Sequence, residues 1–332
     1  MAQPNRKPAI FLLDATLPAP YLPRASHQRG QHGMANAAQT IGLLGLGLVG
    51  RAITPLLMAG GHSVVGYAPS QGSRDALADL GGTPAGSVAE VAARCATVVL
   101  AVFDTAQAEA VIEGPGGILS VAAPGGAPRR IINTSTCDPE RMEALAARVA
   151  GRAALVEMPI SGTSTQIARA EGVGLVGGTE AEIEAVDDVL ALICPRRFAL
   201  GPVGAGGKAK LAVNLVLGLN RAALAEGIAF AEALGLEAGA FLNVARGSAA
   251  YSQVMDVKGA KMVERDYAPL SKVSQTTKDF KMMRAAAAAV GQSLPFAEVY
   301  VGLMEELIAA GEGEIDNAAL LEAIKRRTAP AA

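Results

Sequence analysis

From residue 40 onward the apolar positions fall into two kinds of run. Short, almost wholly apolar stretches occur at IGLL (41–44), SVVGY (63–67), ATVVLAV (96–102), RRIINTS (129–135), AALVEM (153–158), VGLVGG (173–178) and FAL (198–200). Between them lie segments with helical spacing: SRDALADL (73–80), DPERMEALAARVA (138–150) and AEIEAVDDVLALI (181–193). Strands without polar alternation are buried on both faces, so the pattern predicts a mostly parallel sheet covered by helices. After Gly201 only the helical period continues, over 208–235, 238–247, 273–290, 295–310 and 317–327. The alanine run at 285–289 needs no reading beyond strong helix formation. The chain is therefore expected to divide near 202, with an α/β domain over 40–202 and an all-helical domain over 203–332. Residues 1–39 break the pattern. They carry scattered prolines, basic residues and a single acid, Asp14, with no lasting period. Such a segment reads as a disordered extension. Met34 offers a second start, so residues 1–33 are expected to be dispensable. AIFLLDATL is interrupted by Asp14 and lacks the continuous apolar core of a signal peptide.

Composition narrows the function classes. A length of 332 residues suits about two domains of roughly 150 residues. The net charge of −2 gives no electrostatic case for nucleic acid. No run reaches the roughly 18 uninterrupted apolar residues of a membrane span. Cys95, Cys137 and Cys194 are far apart and suit a reduced, cytoplasmic protein. The histidines, His27, His32 and His62, all lie early. A clustered-histidine metal site is therefore not expected, nor is a His-based triad in the C-terminal half. His62 reads as a loop residue.

Residues 45–50, GLGLVG, follow the first apolar run and precede a helical pattern. This is a G-x-G-x-x-G at a strand-to-helix turn. Gly45 permits the tight turn, Gly47 lets the backbone approach a pyrophosphate, and Gly50 lets the helix pack on the strand. With Leu46, Leu48 and Val49 they form a candidate dinucleotide loop. The helix N-terminus would offer free N–H groups to phosphates.

Three further segments carry chemistry-bearing side chains. Asn133-Thr134-Ser135-Thr136 ends a strand on the side where open α/β sheets bind ligands, although a helix cap explains it equally well. Val102, at the end of the strand at 96–102, and Phe103 after it are likewise assigned to the cofactor. Ser161, Gly162 and Thr163 lie in a loop of small residues, read either as an anion-binding loop or as a plain turn. Lys210 and Asn214 sit at i and i+4 on a predicted helix, on a stripe with Val213 and Leu217, which are expected to be buried. A lysine in an apolar cleft can titrate near neutrality and act as an acid–base group. Lys208 reads as a surface residue at the helix start.

Taken in order, these motifs resemble the β-hydroxyacid dehydrogenase family, whose members include 3-hydroxyisobutyrate dehydrogenase and tartronate semialdehyde reductase. GLGLVG, EMPISGT (157–163), GPVGAGGKAKLAVN (201–214) and Lys278-Asp279 match the family's motifs from about residue 40 to 327. The resemblance implies a Rossmann-like doubly wound sheet followed by an all-helical domain like that of 6-phosphogluconate dehydrogenase. It implies a homodimer or homotetramer and a small carboxylate-bearing substrate. It also implies roles: the glycine loop on the pyrophosphate, Thr136 beside the nicotinamide, and Ser161, Gly162 and Thr163 on the substrate carboxylate. Lys210 would be the catalytic lysine, Asn214 the orienting residue, and Lys278 a lysine closing over the site. The activity implied is hydride transfer between NAD or NADP and a semialdehyde or β-hydroxy acid. An imine reductase or a non-catalytic cofactor-binding regulator would share this architecture, but both usually lack the lysine.

Some residues depart from the family pattern. Val49 replaces Met, Met158 replaces Ala, and Thr163 replaces a Gly, which predicts a threonine side chain facing the substrate. An acid about 20 residues past the glycine loop normally holds the ribose of NAD. Here Tyr67 to Ser70 contain none, and Ser70, Ser73 and Arg74 are available for a 2′-phosphate, which tilts the expectation toward NADP.

Overall fold

The computed structural model describes residues 38–126 and 128–327. The expectations for residues 1–37 lie outside the described residues. The elements run β1 (Thr40–Leu44), α1 (Leu48–Ala59), β2 (Ser63–Tyr67), α2 (Gln71–Asp79), β3 (Thr83–Pro84), α3 (Val88–Arg94), β4 (Thr97–Leu100), α4 (Thr105–Glu113), β5 (Arg129–Asn133), α5 (Pro139–Val149) and β6 (Ala153–Glu157). The six strands form one parallel sheet in the order β3-β2-β1-β4-β5-β6. Order reverses between β1 and β4, which opens a crevice at the carboxyl ends of the strands. Ile41, Leu43, Val99, Ile132 and Val156 face one covered side, and Leu44, Val98, Leu100, Ile131 and Leu155 the other. Burial on both faces accounts for the near-absence of alternation in the strands.

The apolar runs after residue 158 do not extend this sheet. They form a second sheet of three strands, β7 (Ile160–Ser161), β8 (Val173–Val176) and β9 (Arg196–Ala199), with β7 antiparallel to β8. A short helix, α6 (Ser164–Ala168), separates β7 from β8. The helix expected over 181–193 is two helices, α7 (Glu180–Glu184) and α8 (Asp187–Ile193). Val186 leaves helical geometry at φ −130° and places its side chain in the core.

Beyond β9 every remaining element is helical: α9 (Ala205–Ala233), α10 (Ala238–Arg246), α11 (Gln253–Glu264), α12 (Val273–Ala289), α13 (Pro295–Ala309) and α14 (Leu320–Lys325). The helix α9 is long and apolar enough to pass for a membrane span, with a mean hydropathy of 1.3. Leu211, Leu224, Ala225 and Ile228 on it belong to the core that the later helices build around it. The sequence pattern missed α11 because charges interrupt it at Asp256, Lys258, Lys261 and Glu264. Its buried Gly259 admits Leu242 of α10 so closely that a Cβ would lie 2.7 Å from the leucine Cδ1.

Candidate active site

A cleft of about 1210 Å³ lies between the carboxyl ends of the central strands and the helices α9 and α12. On the sheet side it begins with the glycine loop. Gly45 adopts φ +96°, and a Cβ there would sit 2.3 Å from the Ala101 carbonyl oxygen. A Cβ on Gly50 would lie 2.0 Å from the Gly45 oxygen. These two glycines are required by packing. Gly47 differs, since a Cβ there would meet nothing within 4 Å. It is the N-cap of α1, and no side chain caps that end. Helix N-termini leave several N–H groups without backbone partners. Open space over Gly47 and an uncapped helix end together fit a dinucleotide pyrophosphate.

Val102, Phe103 and Thr136 line the next part of the cleft. Ser135, assigned no role in the sequence, organises this rim: its hydroxyl accepts the Val102 N–H at 2.9 Å. From the helical side Lys278 reaches over. Its Nζ donates to the carbonyls of Phe103 (2.9 Å) and Thr136 (3.3 Å) and stands 5.2 Å from the Phe103 ring centroid.

Ser70, Ser73 and Arg74, expected at a 2′-phosphate, are not among the residues that line the cleft. Ser70 caps α2 by accepting the Ser73 N–H at 3.2 Å and donates to the Ser73 hydroxyl. Arg74 donates to the carbonyls of Ala68 (2.6 Å) and Pro69 (2.9 Å) and to Gln71. Its guanidinium is held by its own turn. Arg51, on α1, lines the cleft instead.

On the substrate side the structure brings Gly162 and Ser164 to the cleft wall, whereas Ser161 and Thr163 are not among the lining residues. Thr163 is the N-cap of α6. Its hydroxyl accepts the Gln166 N–H, and the Gln166 side chain accepts the Thr163 N–H at 2.9 Å, a reciprocal capping box. The expectation that the threonine side chain faces substrate is therefore corrected. Its hydroxyl is satisfied locally, and Gly162, at φ +151°, supplies the turn that aims the loop.

Lys210 and Asn214 share one face of α9 and both line the cleft. Lys210 is 7% exposed, and its Nζ donates to the Ile160 carbonyl at 2.7 Å. Burial pulls its amine down to about 8, partly offset by the Asp279 carboxylate. Val213, expected on the buried stripe, is instead exposed, and Leu217 is exposed toward the cleft. The stripe that enters the cleft is 210, 214, 217 and 221. Lys208 pairs with Glu143 on the surface at 2.7 Å.

Two acids complete the surroundings. Asp279 is nearly buried, and burial lifts its carboxyl above the usual range against the pull of Lys278 and Lys210. Its Oδ1 lies 3.1 Å from Lys278 Nζ and pairs with that ammonium. The sequence reading assigned a role to Lys278 and passed over its neighbour. Glu157, at the end of β6, is 2% exposed and accepts the N–H of Gly204 (2.6 Å) and Gly207 (3.2 Å) at the start of α9. Burial raises its carboxyl, while those backbone donors lower it. It ties the lysine-bearing helix to the sheet.

Comparison with known proteins agrees with this layout. Residues 40–201 match the NAD-binding domain of 6-phosphogluconate dehydrogenase, and residues 204–324 match the NAD-binding domain of NADP-dependent 3-hydroxyisobutyrate dehydrogenase. The chain is 30% identical to L-threonate dehydrogenase of Cupriavidus necator, over 86% of this chain and 96% of that one. It is 28% identical to glyoxylate/succinic semialdehyde reductase 1 of Arabidopsis thaliana, over 86% and 98% respectively. The crystal structure of 3-hydroxyisobutyrate dehydrogenase from Salmonella typhimurium superposes with a TM-score of 0.78 at 25% identity, covering 86% of this chain and 99% of that one. With a glycine loop open at Gly47 and both halves matched in order, the chain belongs to the β-hydroxyacid dehydrogenase family of NAD- or NADP-dependent oxidoreductases.

Proposed function

We propose that the protein interconverts a small carboxylate-bearing semialdehyde and its hydroxy acid, with Lys210 as the general acid and base. The observation that carries this reading is the buried Lys210 ammonium, which faces the cleft and has one acceptor among the described residues, the Ile160 carbonyl. An ammonium has three donors. Two of them are free for a substrate oxygen. The nicotinamide cofactor, when bound, supplies or accepts the hydride. Toward reduction, Lys210 donates a proton to the substrate oxygen as it gains charge. Toward oxidation, its neutral amine takes the hydroxyl proton. Asn214, one turn further on the same face, holds that oxygen in line. The loop at Gly162–Ser164 receives the carboxylate. Lys278 and the apolar rim at Val102 and Phe103 exclude water from the reacting carbon.

The experiment is consumption of NADH and NADPH with glyoxylate, succinic, methylmalonate and tartronate semialdehydes, and the reverse reaction with L-threonate and 3-hydroxyisobutyrate. Turnover of one or more of these that disappears in Lys210→Met supports the reading. Retained turnover in that variant overturns it. With no tryptophan in the chain, cofactor binding is followed through nicotinamide fluorescence.

A homodimer or homotetramer is proposed for the assembly. Val216 and Phe230 on α9, Val244 on α10 and Phe296 on α13 are all more than half exposed, and burial of these apolar side chains against a second subunit supports the reading. A monomer in sedimentation equilibrium would refute it.

A further inference from the structure

Past Asn214 the same face of α9 carries Leu217 and Arg221 into the cleft. Arg221 is 5% exposed. A buried guanidinium is costly unless its charge and its donors are matched. Here the match is incomplete. Nη1 donates to the Tyr300 hydroxyl at 2.6 Å, a neutral partner. Nε is buried without a hydrogen bond among the described residues. The carboxylate of that neighbourhood, Asp316, is fully engaged. It accepts Lys258 Nζ on both oxygens, at 2.7 and 2.8 Å, and the N–H groups of Leu270, Ser271 and Ala318. Arg221 forms no salt bridge among the described residues, and its positive charge stands unpaired beside the cleft. The ring of Tyr300 stacks on Phe280 with centroids 4.1 Å apart, and Gly218 lets that phenylalanine touch α9. Arg221 is therefore held in place before any ligand arrives.

We propose that Arg221 binds a second carboxylate on the substrate, so that the enzyme's substrates are hydroxy dicarboxylates and the matching semialdehydes. The proposal rests on the reading above, in which Lys210 handles the hydroxyl and the Gly162–Ser164 loop the first carboxylate. A rise of about 1.5 Å per residue separates the Cα atoms of Lys210 and Arg221 by roughly 16 Å. Helical side chains lean toward the helix N-terminus, so the Arg221 side chain shortens that span toward Lys210 and leaves room for a chain of about five or six carbons. Leu217 and Phe280 line the interval and suit methylene groups.

The test compares 2-(hydroxymethyl)pentanedioate with 2-(hydroxymethyl)pentanoate, which lacks the second carboxylate, on the cofactor-loaded enzyme. The wild type is expected to favour the diacid in kcat/KM by about 50-fold, chiefly through KM, as for a charge-assisted hydrogen-bonded pair. Arg221→Met should remove that preference and leave the monoacid within about threefold, and Arg221→Lys should restore part of it. Equal losses on both substrates, or no preference in the wild type, overturn the proposal. Binding is read separately with pentanedioate, which cannot react: it should raise the Tm of the wild type and not of Arg221→Met. Arg221-dependent stabilisation without turnover of either hydroxy acid would overturn the reaction assigned to Lys210 and keep the Arg221 site. Turnover without any stabilisation by pentanedioate would do the reverse.

Discussion

The two halves of the cleft work with different parts of the chain. The sheet half contributes backbone: the open glycine loop at Gly47 and the carbonyls of Phe103, Thr136 and Ile160. The helical half contributes side chains: Lys210, Asn214, Arg221, Lys278 and Asp279. Within the cleft, Lys210 and Lys278 of the helical half rest their ammonium groups on carbonyl oxygens of the sheet half. A backbone surface depends on side chains being absent and fails when one is added. A side-chain surface depends on burial, which sets the charge and direction of each group.

The sharpest way to separate the halves is to remove one function from each. Lys210→Met should lower kcat by roughly 10²–10⁴ while cofactor affinity stays within about twofold. A parallel loss of cofactor binding would mean that the helical half also holds the dinucleotide. In the wild type, reduction should decline and oxidation should rise as pH passes about 8, because reduction uses the charged amine and oxidation the neutral one. Both limbs should vanish in Lys210→Met. A limb that survives belongs to another group.

Next in size are the glycines. Gly50→Ala pushes a Cβ against backbone and should weaken cofactor binding by about 100-fold with a clear fall in Tm. Gly47→Ala meets no protein atom, so Tm should hold within about 1 °C while cofactor Kd rises about tenfold. Similar Tm losses in both variants would show that Gly47 serves the fold rather than the ligand. Thr163→Ala removes a cap at a cost of about 1 kcal/mol. It should lower Tm slightly and scale all substrates alike. A change in their ranking would put the threonine back in the substrate site. The smallest effect is expected at Arg74, whose donors serve its own turn. Arg74→Met should leave the ratio of NADPH to NADH efficiency within about threefold, and a larger shift would show that the turn opens to the cofactor.

Much of this was legible in the sequence because glycines and stripes leave strong local marks. GLGLVG located the loop, and Lys210 with Asn214 located the working face of α9. What was missed is partly local hydrogen bonding that the motifs masked and partly tertiary pairing. Thr163 sits in a motif that suggests an anion loop, but three residues later Gln166 completes a capping box, and local hydrogen bonding wins. Arg74 has the right charge and place, yet it folds back on Ala68 and Pro69. The second sheet was hidden because an apolar run does not say which strand it will pair with. Arg221 was within reach, as a charge eleven positions after Lys210 on the same stripe. Its lack of an acid partner became visible only with Asp316 in view.

The carboxylate of Glu157 gives the molecule a fixed datum. It clamps the first turn of α9 to the end of β6, so the height of Lys210 above the sheet is set from below, by a residue that does not line the cleft. Two other segments of the cleft wall, α6 with its cap and 269–272 held by Asp316, hang from other anchors. Substitutions in those segments can therefore reshape the cleft wall while Lys210 keeps its coordinates.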